Sequence, residues 1–372
     1  MIWDVSPVVF SIGPFVIRWY IFLFILGFVI ARLLLAHIFR KGGKSSSDVE
    51  VLTIYILVAA FIGARIGYAL LYEPDTIITK PLEAFLPFQF GPTFRFMGIE
   101  RLSGYGAVIA IMLALWLFSR KKNHSYLQVV DRVSIVIALT AVFISLGSFF
   151  NSEIIGKPTS AKSGVVFVRP VMDDLMKLPC CIMRTPGGPN PLQSVQAKPD
   201  TALHPTTTGH SPLILYLFFR PGGTETSVKE FLIGDVKTFL YDHSSLMYEP
   251  GDEPLHYTIF QEKADIFTGR VRTTGIARHP VQLYEAVCYL LLFIFLFASW
   301  KKNKGNALNG RITGIFLIAT GAFNFLLGYL KIAEAPYEAT MALNVGQLVS
   351  IVVMIVGAVV FYISMKRPAM QK

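Results

Sequence analysis

Charged side chains interrupt long apolar runs of this sequence, and they are the first candidates for chemistry. Arg65 lies inside one run within Gly63–Gly67, Glu153 follows another run, and Arg278 precedes a third. An ionisable side chain within the hydrocarbon region of a membrane is costly and is therefore a functional candidate by default. Arginine binds phosphate groups through paired hydrogen bonds. The pattern predicts a polar site with arginines suited to a lipid phosphate.

The composition indicates an integral membrane protein. Of the 372 residues, 53% are hydrophobic and 16% are charged, whereas soluble domains have about a quarter charged residues. Such a chain is neither disordered nor a small disulfide scaffold, because it is too apolar for disorder and has three cysteines.

Seven apolar runs approach the roughly 20 residues that a helix needs to cross a bilayer. They cover residues 19–39, 51–72, 104–118, 133–150, 281–300, 312–330 and 341–363. Between the fourth and fifth runs, turn signals and short β-branched and aromatic runs at 165–168 and 213–219 predict an external domain or elaborated loop. We therefore expect an all-α polytopic membrane protein with seven transmembrane helices and an inserted external domain or long loop of β-rich character. The expected domains are 1–160, 161–277 and 278–372.

The basic residues predict the orientation of the spans. They gather after spans one, three and five and in the tail, at Arg40, Lys41, Lys44, Arg120, Lys121, Lys122, Lys301, Lys302 and Lys366. These segments share one side of a seven-span alternation, and the positive-inside rule makes that side cytoplasmic. The N-terminus and residues 151–280 are then outside and the C-terminus is cytoplasmic. Much of the net charge of +10 is explained by topology, so we expect no nucleic-acid partner.

In this orientation the polar residues of different spans fall at one depth, in the outer half of the membrane. They are Arg18, Tyr20, Arg65, Tyr105, Ser145, Asn151, Glu153, Arg278, Gln282, Glu285, Asn324 and Gln347, and Gly156 lies at the same depth. Their shared depth predicts a polar cavity facing the outer leaflet. Interfacial anchoring explains Arg18 and Tyr20 equally well. Arg65 lies several residues inside its span, which favours a function or a buried structural ion pair over anchoring.

Several strings around these residues make the chain resemble the prolipoprotein diacylglyceryl transferases of bacteria. The strings are Arg18-Trp19-Tyr20, Gly63–Gly67, Asn151–Gly156, Arg278–Glu285 and Asn344–Ser350. The resemblance covers roughly residues 1–160 and 275–365, whereas much of 170–270 resembles an insertion. It implies a location in the bacterial cytoplasmic (inner) membrane.

The resemblance implies transfer of the diacylglyceryl group of phosphatidylglycerol to the lipobox cysteine thiol of a lipoprotein precursor. Its partners would be this lipid and precursor signal peptides, with no metal or organic cofactor. The reaction needs a group that deprotonates or orients the thiol and cations that stabilise the departing phosphate. The implied catalytic residues are Tyr20, Asn151 and Glu153; Arg65 and Arg278 would bind phosphate, and Gly156, Gln282, Glu285 and Gln347 would line or support the cavity.

Three further catalytic positions are substituted. Where the family usually has one His and two Arg, this chain has Tyr105, Ser145 and Asn324. Tyrosine, with an ordinary pKa of about 10, is a poor base at neutral pH, and serine and asparagine cannot neutralise phosphate. The substitutions predict weak or lost transferase activity. The alternatives are an active transferase with a rearranged site and a non-catalytic membrane protein whose external segment binds a partner.

Overall fold

Among the residues that the structure describes, seven helices are long and apolar enough to cross a membrane, which confirms the predicted number of spans. The computed structural model describes residues 1–13, 15–79, 88–89, 95–96, 103–178, 190–203, 209–263, 265–303, 309–332, 338 and 340–366. The spanning helices are α1 (Trp19–Lys41), α2 (Ser46–Tyr72), α4 (Gly104–Lys121), α5 (Tyr126–Phe150), α9 (Val281–Lys302), α10 (Arg311–Gly328) and α11 (Val345–Lys366); a short α3 (Pro74–Thr79) follows α2.

Two spanning helices begin before their apolar runs. Helix α2 starts at Ser46 rather than at residue 51, because the Ser45 side chain accepts a hydrogen bond from the Ser47 backbone N–H and caps a polar first turn. Helix α5 starts at Tyr126 rather than at residue 133. The apolar pattern therefore located the membrane-crossing part of each helix but missed the first residues of the helix, which precede the apolar run.

By its contacts the chain divides into two compact units. The first unit comprises Met1–Phe24, Phe143–Val287 and Leu326–Val345, and the second comprises Ile25–Val142, Cys288–Phe325 and Gly346–Lys372.

The first unit contains an antiparallel sheet, which confirms a sheet-containing insert. The other strands and helices that the structure describes are β1 (Ile2–Trp3), β2 (Val8–Ile12), β3 (Phe15–Arg18), β4 (Phe88–Gln89), β5 (Arg95–Phe96), β6 (Val166–Phe167), α6 (Arg169–Leu175), β7 (Leu192–Pro199), β8 (His210–Phe219), α7 (Glu225–Phe231), a π-helical turn (Leu232–Val236), α8 (Lys237–Asp242), β9 (Met247–Tyr248), β10 (His256–Lys263) and β11 (Ile266–Ile276). The five-stranded sheet has the order β10-β11-β8-β7, and β9 pairs with β11. Alternate residues of β8, namely Leu213, Leu215 and Leu217, enter the core, as the period of two in a strand requires.

Aromatic packing fixes the end of α5 in the first unit. The Trp3 ring lies 4.3 Å from that of Phe149, and the Trp19 ring stacks on Phe150 at 4.8 Å. Strand β1, which carries Trp3, pairs in parallel with β6. These contacts hold the last residues of α5 in place, and Asn151 and Glu153 follow directly after them.

In the second unit, glycines bring the backbones of α2 and α4 into contact. A Cβ on Gly106 would lie 2.2 Å from the Gly63 carbonyl oxygen, and one on Gly67 would lie 2.5 Å from the Gly106 Cα. No side chain fits at such distances, so these positions require glycine. Arg65 lies between Gly63 and Gly67 on α2, and this contact fixes the backbone that carries it.

Candidate functional site

The C-terminus of α5 places Glu153 beside the end of the helix. The Ser152 N–H donates to the Phe149 carbonyl at 3.0 Å, and the Glu153 N–H donates to the Ser148 carbonyl at 2.9 Å. These two bonds form a Schellman motif, which needs a left-handed residue at Ser152. Ser152 has a φ of 55° and Ile154 a φ of 54°. Such values are unusual for serine and strained for β-branched isoleucine, so the backbone is strained on both sides of Glu153.

Glu153 is hydrogen-bonded to two of the predicted site residues. The Asn151 side-chain amide donates to Glu153 Oε1 at 3.0 Å, and the Gln282 side-chain amide donates to the Glu153 backbone carbonyl. Gln282 is fully buried, whereas the Glu153 side chain is exposed. The structure thus brings Asn151, Glu153 and Gln282 together and leaves a carboxylate accessible, as a group that orients or deprotonates a thiol must be.

Tyr20 lies against the same end of α5. A Cβ on Gly147 would lie 3.0 Å from the Tyr20 Cα, so glycine permits this approach. Tyr20 is half-buried. Ser145, one of the substituted positions, is buried on the same helix, as is Ser148.

Arg278 is buried and bonded to the backbone. Its guanidinium donates to the Gly156 carbonyl at 3.0 Å and to the Ser245 carbonyl. Burial lowers the pKa of this guanidinium, although an arginine retains its charge at neutral pH. These contacts tie together segments distant in sequence and give Arg278 a positioning role. Its predicted contact with a lipid phosphate stays a prediction.

Gly156 contacts the segment before α9 so closely that only glycine fits. Its N–H donates to the His279 carbonyl at 3.2 Å, and a Cβ there would lie 2.5 Å from that oxygen. Gly156 also forms an isolated β-bridge with Lys331. This glycine therefore joins the residues after α5 to those before α9 and after α10.

Lys331 is paired with a predicted site residue and was missed by the sequence interpretation. Its Nζ lies 2.7 Å from Glu285 Oε1, and their side chains are 25% and 13% exposed. Glu285 is predicted to line or support the cavity, whereas Lys331 is not among the candidates that the sequence provides. The available signal was its position, because Lys331 follows α10 by three residues, at the depth already assigned to the site.

The other predicted residues belong to the second unit. Arg65 is buried on α2 at 6% exposure, and the carbonyl of its neighbour Ala64 accepts a 2.9 Å hydrogen bond from the Ser103 N–H. Tyr105, in the first turn of α4, is 52% exposed. The N-cap residue of α4, Ser103, is therefore bonded to the α2 backbone beside Arg65.

Asn324 and Gln347 are held by the helices of the second unit. The Asn324 amide donates to the Tyr289 hydroxyl at 3.1 Å and to the Thr320 carbonyl at 3.0 Å. Gln347 is buried and donates to the Phe325 carbonyl at 3.1 Å. Both amides therefore connect neighbouring helices, as buried polar groups in membrane bundles commonly do.

The fold and the site define a multi-pass membrane protein with a polar cluster at the helix ends of its sheet-containing unit. The family model for prolipoprotein diacylglyceryl transferase matches residues 7–363. The chain therefore belongs to this family, which confirms the resemblance noted in the sequence.

Relatives match along nearly the whole chain. The phosphatidylglycerol–prolipoprotein diacylglyceryl transferase of Tolumonas auensis is 26% identical over 370 residues, 99% of each chain. That of Chloroherpeton thalassium is 26% identical over 372 residues, 100% of this chain and 96% of its own. The enzyme of the same name from Bacteroides fragilis is 25% identical and covers 95% of this chain and 92% of its own. The bacterial relatives and the seven spans define a multi-pass inner-membrane protein.

Proposed function

We propose that the protein binds phosphatidylglycerol and a lipoprotein precursor at the polar cavity, and that its transferase chemistry is weak or lost. The family membership supports the two substrates, since the relatives are named for them. The substituted positions support the loss of rate.

The main support for this proposal is the hydrogen bonding of the Asn324 side chain. Both donors of its amide are used, one by the Tyr289 hydroxyl and one by the Thr320 carbonyl. It therefore has neither a charge nor a free donor for a phosphate. Ser145, at the other substituted arginine position, is also neutral and buried. Removing one donor that stabilises a transition state costs about a hundred- to a thousandfold in rate.

A second candidate is an active transferase with a rearranged site. The exposed carboxylate of Glu153 favours it, because Asn151 and Gln282 hold this residue in place on a strained backbone. Strain of this kind is concentrated at functional sites. In this candidate Tyr105, Arg65 and Arg278 compensate, together with Glu153, for the missing His and Arg.

We also propose that the N-terminus and residues 151–280 lie outside the cytoplasm and that the C-terminus is cytoplasmic. The basic residues at the ends of α1, α4, α9 and α11 support this orientation. Cysteine labelling from outside intact cells tests it, in a background where the native Cys180, Cys181 and Cys288 are replaced by Ser. A Lys263→Cys variant in the sheet should react, and a Lys122→Cys variant should not.

A transfer assay tests the main proposal. Purified protein is incubated with glycerol-labelled phosphatidylglycerol and a lipobox peptide, beside a relative with the usual His and Arg. We expect lipid binding with product formed at least a hundredfold more slowly than by that relative. Product at a comparable rate would overturn the loss of activity and support the rearranged site.

Restoring the substituted residues gives a matched test. We expect Tyr105→His, Ser145→Arg and Asn324→Arg with Gly328→Glu to increase transfer together more than any one change does. Gly328→Glu accompanies Asn324→Arg because an unpaired buried arginine is costly. A folded, inserted combined variant without any gain would show that these positions do not limit the reaction.

A further inference from the structure

Two side-chain amides beside Glu153 are oriented so that their oxygens face away from it. Gln282 donates to the Glu153 carbonyl, and Asn151 donates to the Glu153 carboxylate. The carbonyl and carboxylate oxygens of Glu153 can only accept hydrogen bonds, so each amide must turn its NH₂ group toward Glu153. The orientation of each amide oxygen therefore follows from its partner.

The oxygens that face away accept no hydrogen bond from the part of the chain that the structure describes. Asn151 Oδ1, Gln282 Oε1 and the Ser152 hydroxyl are buried and have no hydrogen-bond partner among the described residues. Gln282 is 0% exposed and Ser152 is 7% exposed. Buried polar groups in native proteins are nearly always satisfied, and those that are not require an explanation such as a ligand or water. Two of these oxygens belong to the consecutive residues Asn151 and Ser152. The third belongs to Gln282, which contacts the next residue, Glu153. We call the three oxygens the acceptor cluster.

The chemistry of the acceptor cluster selects its ligand. Its two amide oxygens can only accept hydrogen bonds, while its hydroxyl can accept or donate one. The amide oxygens therefore repel a phosphate oxygen, and all three groups can accept from a ligand that carries several donors. A diol provides two hydroxyl donors on adjacent carbons. Resting on the proposed function, we infer that the acceptor cluster binds the hydroxyl groups of the glycerol headgroup of phosphatidylglycerol, and that it selects this lipid by its diol rather than by its phosphate.

A lipid without the diol tests the inference. Phosphatidylpropanol has the same phosphodiester charge as phosphatidylglycerol but lacks both headgroup hydroxyls. Native mass spectrometry of the full-length protein in detergent measures the binding of each lipid with matched acyl chains. We expect about tenfold tighter binding of phosphatidylglycerol, as one to two net hydrogen bonds would give.

Variants assign the preference to the acceptor cluster. Gln282→Met removes the amide at similar length, and Ser152→Gly removes the hydroxyl while suiting the left-handed backbone. We expect either change to reduce the preference to about twofold or less. Gln128→Met is the control, because Gln128 donates to Asn309 in the second unit. It should keep the wild-type preference.

The outcomes separate this inference from the proposed function. Equal binding of the two lipids by the wild-type protein would overturn the diol inference and leave the proposed function intact, and would be expected if water alone fills the cluster. A preference retained in both Gln282→Met and Ser152→Gly would also overturn it. Equally tight phosphatidylethanolamine binding would assign an ammonium group instead. Failure to bind either anionic lipid would count against the proposed function itself.

Discussion

The Nζ of Lys331 lies 2.7 Å from Oε1 of Glu285, so a lysine just beyond α10 is paired with an acid near the start of α9. Both side chains are mostly buried. A charge left without its partner in such a place is destabilising, since desolvation is no longer offset by attraction. The pair therefore holds together two segments that also flank Gly156.

Removing the charge of Lys331 tests this pair. We expect Lys331→Met to destabilise the purified protein by about 1–3 kcal/mol, between the values for exposed and buried pairs. Lys331→Arg should keep most of the stability. Adding Glu285→Gln to Lys331→Met should recover part of the loss, because no unpaired charge remains. Thermal unfolding measures all variants, and independent, additive losses would contradict the pairing.

Glu153 should be essential for whatever transfer the protein performs. Glu153→Gln keeps the size of the side chain but removes its charge, and we expect at least a hundredfold loss of transfer with normal insertion in the membrane. The assay uses the wild-type protein and the combined restored variant. Glu50→Gln is the control, since this carboxylate is exposed and lies 3.9 Å from Arg32. Equal activity of Glu153→Gln and wild type would exclude a catalytic role.

The contact between α2 and α4 should tolerate no side chain at Gly106. A Cβ there would lie 2.2 Å from the Gly63 carbonyl oxygen, whereas a Cβ on Gly104 meets nothing within 4 Å. We expect Gly106→Ala to cost about 1–3 kcal/mol, as overpacking does, and to weaken phosphatidylglycerol binding if Arg65 contacts the lipid. Gly104→Ala should change neither. Thermal unfolding and lipid binding are the measurements, and similar behaviour of the two variants would contradict the close contact.

Ionisation of Glu249 should weaken the sheet at neutral pH. Burial raises the pKa of its carboxyl, although the Thr273 hydroxyl, a hydrogen-bond donor at 3.0 Å, opposes this shift. Because the folded pKa is above the unfolded value, the folded state binds the proton more tightly, and stability falls as the pH rises from below the unfolded pKa to above the folded one.

Glu249→Gln removes this dependence. We expect it to slow hydrogen exchange of the β9 and β11 amides at pH 7 relative to wild type and to leave exchange free energies similar near pH 3. Exposed Glu253→Gln is the control. Faster exchange in Glu249→Gln at pH 7 would show that the carboxylate stabilises the sheet instead.

The sequence by itself determined the membrane class, the seven spans and the residues that could form a site. These features depend on local composition, because about 20 apolar residues form a spanning helix wherever they occur, and charged residues within them stand out. The sequence also placed strands at 165–168 and 213–219, where β6 and β8 lie. Helix starts were less accurate, since polar first turns such as that of α2 are stabilised by caps rather than by apolar burial.

Only the tertiary structure decided which candidates touch. Gln282 contacts Glu153 across 129 residues of sequence, Arg278 contacts Gly156 across 122, and Lys331 pairs with Glu285. Such hydrogen bonds depend on distances of about 3 Å and on the direction of each donor, and neither is encoded in local hydropathy. Composition therefore predicted which residues lie at the membrane boundary, while packing at glycines such as Gly156 decided which of them contact one another.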